Sequence, residues 1–284
     1  MSTPTATPTP ARTQSLVRRH PLISFFALAY AVTWSLWTPL VILGDRIPRP
    51  LGFILTVLGS LVPSTVGILM VAALHGKPGV RRLLGRLLKG RVGFRWYLAV
   101  LALPLLVPLG VGISVLFGGE TPVIDRTIVG VLVLLAFSIF PGSALGEELG
   151  WRGLALPHLQ ARHSALAASL IVGGLWGFWH LPLYLLGLET RPLSIFPAFV
   201  VSVVAASVIC TWMYNGTGGS LLIVVLFHAT ANLPLTVFFE PLAGRAAQPF
   251  LIYVALAVAA ATAIVVATGP GHLSRTAQRQ IEQP

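Results

Sequence analysis

The chain has 284 residues, of which 55% are hydrophobic and 10% are charged, and its formal net charge is +11. Soluble domains carry roughly 25% charged residues, so this composition excludes a water-soluble globular protein and indicates an integral membrane protein. Its single cysteine, Cys210, excludes a disulfide framework and a cysteine-based metal site. Because the basic residues lie in short segments between apolar stretches, we do not expect nucleic acid as a partner.

Eight apolar stretches are long enough to cross a bilayer, which needs about 20 residues per helix. They cover residues 21–44, 51–74, 96–117, 127–156, 165–186, 195–214, 221–239 and 250–267. The sequence therefore predicts an all-α polytopic membrane bundle over residues 21–268, preceded by a disordered tail at 1–20 and followed by a tail at 269–284. The fourth stretch contains Pro141-Gly142, which predicts a kink or break that faces a cavity.

The basic residues are distributed unequally between the two sides of this bundle. With the N-terminus inside, fourteen of the 19 lie on the inner side, and five acidic residues balance the five on the outer side. Lys and Arg accumulate in cytoplasmic loops, so we expect both termini in the cytoplasm. The scarcity of lysine is typical of a GC-rich genome and favours a prokaryotic cell membrane.

The segment from Lys77 to Arg95 contains seven basic residues and no acidic one. Its leucines at helical spacing predict an amphipathic helix that lies on the inner leaflet and contacts anionic lipid. A plain positively charged loop is the alternative.

Ionisable residues inside membrane spans are expensive and usually functional. The fourth stretch carries Glu147, Glu148 and Arg152. Glu148 and Arg152 are four residues apart and can pair on one helix face, while Glu147 points about 100° away. Glu147 is then left without a charge partner, a condition that suits a general base. The alternative is an ion pair that only holds helices together.

Two further stretches carry polar side chains at four-residue spacing. Trp176 and His180 share a face of the fifth stretch, and His228 and Asn232 share a face of the seventh. Each pair alone is explained by packing and interhelical hydrogen bonds. Together with Glu147, they form a set that can activate water and hold an oxyanion, if the helices converge.

Depth is a partial test of this convergence. Counted from the inner end at about 1.5 Å per residue, Glu147 and His228 lie roughly 10–14 Å into the membrane and His180 roughly 22 Å. The count therefore predicts that His180 lies deeper than the other two.

The three motifs, Glu147-Glu148-x-x-x-Arg152, Trp176-x-x-x-His180 and His228-x-x-x-Asn232, resemble those of the CAAX protease and bacteriocin-processing family, also called Abi. The resemblance covers roughly residues 128–235, which we expect to be the catalytic core. Trp176 stands where the second motif is often written with Phe. The resemblance implies an intramembrane endopeptidase in which Glu147 and His180 activate water.

The same resemblance implies that His228 and Asn232 stabilise the oxyanion and that Glu148 and Arg152 support the site. Metal dependence has been argued both ways for the family. Glu147, His180 and His228 are enough ligands for zinc, but the His-Glu-x-x-His helix of common zinc proteases is absent, and we favour a metal-free mechanism.

The expected partners are the lipid bilayer and a membrane-associated protein or peptide substrate, with prenylated CAAX proteins as one class. The natural substrate and the oligomeric state cannot be read from the residues. A proton-coupled transporter, an immunity protein and a scaffold that keeps the polar cluster for helix packing are the non-enzymatic alternatives.

Overall fold

The computed structural model describes residues 16–186, 192–242 and 247–274 as a bundle of eight long apolar helices. Their lengths and composition are those of membrane-spanning helices, which confirms the predicted all-α architecture. No strand occurs among these residues. The helices are α1 (Pro21–Arg46), α2 (Arg49–Leu88), α3 (Phe94–Leu116), α4 (Ile128–Gln160), α5 (Ala165–Leu185), α6 (Leu193–Gly216), α7 (Leu221–Leu242) and α8 (Ala247–Thr268).

Three of these helices begin at a hydroxyl side chain. Thr127, Ser164 and Ser220 precede α4, α5 and α7, and each accepts a hydrogen bond from the backbone N–H three residues later. The first N–H groups of a helix have no partner inside the helix, and in an apolar surrounding these caps satisfy one of them.

The second helix changes direction at Gly76. This residue has φ 63° and ψ −164°, a conformation that side-chain-bearing residues rarely adopt. The chain remains helical after the bend, so residues 77–88 of the predicted basic segment form a helix. On this helix, the side chain of Leu83 is buried against the bundle, whereas the side chains of Leu84 and Leu88 are exposed. Its contact with anionic lipid stays a prediction.

The fourth helix is broken where the sequence predicts. Its first part, Ile128–Phe137, is followed by a wide turn in which Phe140 is extended, and regular helix resumes over Ala144–Gly150. Pro141 cannot donate a backbone hydrogen bond and lies inside this turn. The break allows a new helical segment to begin within the bundle, with Glu147 in its first turn.

The broken helix packs on α2 through glycine. A Cβ on Gly150 would lie 2.3 Å from the carbonyl oxygen of Pro63, so only glycine fits at this crossing. The hydroxyl of Ser64 donates to the carbonyl oxygen of Leu145 at 2.8 Å and ties the same two helices. These contacts fix the height and rotation of the segment that carries both glutamates.

The first helix holds the end of α5. The Tyr30 hydroxyl donates to the carbonyl oxygen of Leu175, and Nε1 of Trp34 donates to that of Trp179 at 3.0 Å. These two bonds tie α1 to the turn of α5 that carries the second sequence motif.

Parts of the predicted tails, residues 16–20 and 269–274, are among the described residues. Residues 1–15 and 275–284 of the predicted tails lie outside the described residues. Leu16–Arg19 form a helical turn, and Arg18 donates from Nη2 to the carbonyl oxygen of Ala73 at 3.0 Å. After α8, Leu273 is fully buried. Both segments therefore contact the bundle.

Candidate active site

The two adjacent glutamates have different surroundings. Glu147 is 2% exposed and lines a cavity inside the bundle. Glu148 is fully buried and accepts two hydrogen bonds from Nη1 of Arg152, at 2.9 and 3.1 Å. The pairing expected from the four-residue spacing is therefore present, and it separates the roles of the two acids.

His228 reaches the same pair from α7. Its Nδ1 lies 2.7 Å from Oε1 of Glu148. An ionised carboxylate accepts and does not donate, so Nδ1 carries the hydrogen in this contact. Glu148 thus orients both Arg152 and His228. The sequence analysis grouped His228 with Glu147 but did not predict its bond to Glu148.

Trp176 of α5 is the direct partner of Glu147. Its indole N–H donates to Oε2 of Glu147 at 2.5 Å. The guanidinium carbon of Arg152 lies 4.3 Å from the centre of the indole ring, a cation–π contact. The ring of His228 meets the same indole edge-on, with centroids 5.2 Å apart. Trp176 therefore contacts Glu147 and both partners of Glu148.

The contact between Trp176 and Glu147 was missed in the sequence analysis. The sequence does contain one indication of this contact. A tryptophan stands at a motif position often written as Phe, and its indole carries an N–H donor that phenylalanine lacks. A preference for an aromatic ring does not reveal that hydrogen bond, and the helix rotations that create it are not visible in the sequence.

His180 closes the regular part of α5 one turn after Trp176. Its Nδ1 lies 2.8 Å from the carbonyl oxygen of Trp176. A carbonyl only accepts, so Nδ1 carries the hydrogen, and Nε2 is an acceptor in the neutral ring. His180 is partly exposed and lines the same cavity as Glu147.

The predicted difference in depth stays a prediction, although Glu147, His180 and His228 line the same cavity. The sequence analysis counted Glu147 from residue 156, but the helix continues to Gln160. Four more residues place Glu147 about 20 Å from that helix end, close to the count for His180. The count for His228, about 10 Å from Leu221, is unchanged because its helix begins at the predicted residue.

Asn232 lies one turn beyond His228 on α7. Its Nδ2 donates to Oγ of Ser143 at 2.9 Å. Ser143 immediately precedes the helical segment of the two glutamates, and the sequence analysis missed it because an isolated serine carries no pattern. This bond joins the third motif to the break in α4.

All four side chains assigned to catalysis line one cavity of about 440 Å³. Apolar side chains from several helices complete its wall, namely Trp37, Phe137, Phe199, Phe227 and Phe250. Convergence of the three motifs, which the sequence could only suggest, is present in the structure. The cavity has room for several water molecules and for a segment of a larger ligand.

The described residues contain no group of three His, Cys, Asp or Glu side chains arranged to hold a metal ion. Nδ1 of His228 binds Glu148 and Oε2 of Glu147 accepts from Trp176. A metal ion would be held by the other nitrogen of the imidazole and the other oxygen of the carboxylate. The choice between a metal-free and a zinc-dependent site stays a prediction.

Comparison with known proteins agrees with the motifs. Residues 128–234 match the model of a family described as type II CAAX prenyl endopeptidase Rce1-like. The chain is also 31% identical over 148 residues to CAAX prenyl protease 2 of Methanococcus maripaludis, covering 47% of this chain and 52% of that protein. The chain thus spans about half the length of this curated relative. The resemblance inferred from the three motifs is confirmed over the matched region.

Proposed function

We propose that this chain, whose residues 128–234 match the Rce1-like endopeptidase model, is an intramembrane endopeptidase. Its substrate is a membrane-associated protein or peptide, whose scissile bond enters the cavity between the helices. The observation that carries this proposal is the meeting of Glu147, His180, His228 and Asn232 on one cavity within an apolar bundle.

The first step is activation of water. Glu147 accepts a hydrogen bond on Oε2 from Trp176, and its Oε1 takes the proton of a water molecule that His180 helps to orient. The water oxygen attacks the scissile carbonyl carbon, and the carbonyl oxygen becomes an oxyanion. Breakage of the C–N bond then returns the proton to the leaving amine. A positioned general base of this kind accelerates a reaction by about 10²–10⁴-fold.

The oxyanion is stabilised from α7. Asn232 carries an amide donor at the cavity wall, and His228 donates from Nε2 when its ring is protonated. The carboxylate of Glu148, at 2.7 Å from Nδ1, compensates the charge of that protonated ring. Arg152 supplies the remaining compensation for Glu148. Preorganised donors of this kind are effective because they need no reorientation during the reaction.

This mechanism uses water held by protein groups rather than by zinc. The lack of the His-Glu-x-x-His motif of common zinc proteases supports that choice. Treatment with a chelator therefore separates the metal-free from the zinc-dependent mechanism.

The decisive experiment compares Glu147→Gln with wild type in proteoliposomes. A quenched-fluorescent prenylated peptide and the host membrane proteome serve as substrates, and mass spectrometry identifies the products. We expect Glu147→Gln to abolish cleavage and to unfold at the wild-type temperature. Glu120→Gln, an exposed acid on a loop, is the matched control and should cleave normally.

Two results would count against the proposal. Cleavage by Glu147→Gln at the wild-type rate removes Glu147 from the role of base. A wild-type protein that forms no peptide product from any substrate, but moves ions across the liposome membrane, is a transporter.

A further inference from the structure

The bundle has two chemically different ends. The first end, here called the basic face, carries the helix and loop of residues 77–95 with seven basic and no acidic residues. Hydrogen bonds show which other segments share this end. Arg18 donates to the carbonyl oxygen of Ala73, and Nζ of Lys89 donates to that of Gly218 at 2.7 Å. The start of α1, the bend of α2 and the turn between α6 and α7 therefore lie together.

The start of α5 belongs to the basic face as well. The backbone N–H of Ala165 donates to the carbonyl oxygen of Gly271 at 2.9 Å, and Asn215 donates to that of His272 at 2.7 Å. The opposite face carries an ion pair between Arg126, before α4, and Glu240, at the end of α7. Each spanning helix thus runs from one face to the other.

The cavity is open toward the opposite face and closed toward the basic face. Along α7 its wall begins at Phe227 and His228, which are buried, continues through the partly exposed Asn232 and Thr236, and ends at the exposed Glu240. In the other direction along the same helix, Leu221, Ile223, Val224 and Val225 are buried in packed core, and Leu222 is partly exposed.

The other helices show the same asymmetry. Beyond Glu147, the chain of α4 from Glu148 to Leu159 is buried without interruption. The cavity walls on α1 and α8 are Trp37 and Tyr253, which lie in the halves of these helices near the opposite face. Packed side chains therefore separate the catalytic residues from the basic face.

We infer that the cavity is entered from the extracytoplasmic side of the membrane. Basic residues mark the cytoplasmic side of membrane proteins, and the basic face is the closed one. This inference rests on the proposed function. If the protein cleaves peptides, its substrate is an exported or membrane-anchored polypeptide whose scissile bond is presented from outside, rather than a segment that approaches from the cytoplasm.

The orientation of the cavity can be measured with single cysteines. Cys210 is the one native cysteine, so Cys210→Ser provides a background without thiols. Cysteine is introduced in place of Thr236 in the cavity wall, of Asp125 on the opposite face and of Arg81 on the basic face. A membrane-impermeant maleimide is applied to spheroplasts and, separately, to inside-out vesicles of the same cells.

We expect Thr236→Cys and Asp125→Cys to react in spheroplasts, and Arg81→Cys to react only in inside-out vesicles. Reaction of Thr236→Cys from the cytoplasmic side, or from neither side, overturns the inference. So does reaction of Arg81→Cys in spheroplasts, because the charge argument for the orientation then fails.

An activity measurement on the same preparations keeps the two proposals apart. A membrane-impermeant quenched peptide that the purified wild-type protein cleaves should be cleaved by spheroplasts and not by inside-out vesicles. Cleavage by the vesicles alone contradicts the inference and leaves the proposed function standing. Absence of cleavage by the purified protein contradicts the proposed function, and the cysteine labelling still decides the orientation.

Discussion

The hydrogen bond between Trp176 and Glu147 leads to a sharp prediction. Trp176→Phe keeps an aromatic ring beside Arg152 but removes the N–H that holds Oε2 of Glu147 at 2.5 Å. A hydrogen bond to a charged group contributes about 1.5–3 kcal/mol. At 1.36 kcal/mol per factor of ten, its loss corresponds to roughly a tenfold to hundredfold lower kcat.

The assay is the steady-state cleavage of a fluorogenic peptide in proteoliposomes, with kcat and KM determined separately. We expect kcat to fall while KM stays within about twofold, since Trp176 contacts the base rather than the bulk of the substrate. Replacement of Trp176 by benzothienylalanine, which has sulfur in place of the N–H, should reproduce the loss with almost no change in volume.

Trp151→Phe is the matched control. Trp151 is fully buried on α4, and its Nε1 has no hydrogen-bond partner among the described residues. The control therefore loses indole volume without losing a hydrogen bond. The reasoning is refuted if Trp176→Phe retains the wild-type kcat, or if Trp151→Phe loses as much activity as Trp176→Phe.

Three further predictions concern the ion pair, the helix crossing and the metal. Arg152→Ala leaves Glu148 buried without its cation and should destabilise the protein by about 3–5 kcal/mol, measured as a lower midpoint of thermal unfolding. Gly150→Ala forces a Cβ against Pro63 and should cost about 1–3 kcal/mol, whereas Gly112→Ala, which meets open space, should be neutral in the same measurement. Dialysis against EDTA or phenanthroline should leave cleavage unchanged; activity lost on chelation and restored by zinc would refute the metal-free mechanism.

Local chemistry explains which features could be predicted from the sequence. Membrane-spanning helices are predicted from hydropathy, and each of the eight predicted spans corresponds to a helix of the structure. The pairing of Glu148 with Arg152 depends only on helix periodicity and was also found. The break in α4 follows from Pro141, which cannot donate to the helix. Each of these features is decided within about ten residues of chain.

The features that the sequence did not predict are all hydrogen bonds between different helices. The bonds from Trp176 to Glu147, from His228 to Glu148 and from Asn232 to Ser143 depend on how helices rotate against each other. In a membrane helix that is apolar on every side, no polar stripe fixes that rotation. It is set by close glycine crossings, and a glycine in the sequence does not indicate which helix it meets.

The closed half of the bundle has a consequence for the cell. Hydrolysis requires water at depth, and a hydrated channel through the membrane would dissipate the proton and sodium gradients. Here buried side chains fill the bundle between Glu148 and the basic face. Under the proposed function, we therefore expect the hydrated part to end at Glu147, most of the membrane potential to fall across this packed layer, and the peptidase to conduct no ions.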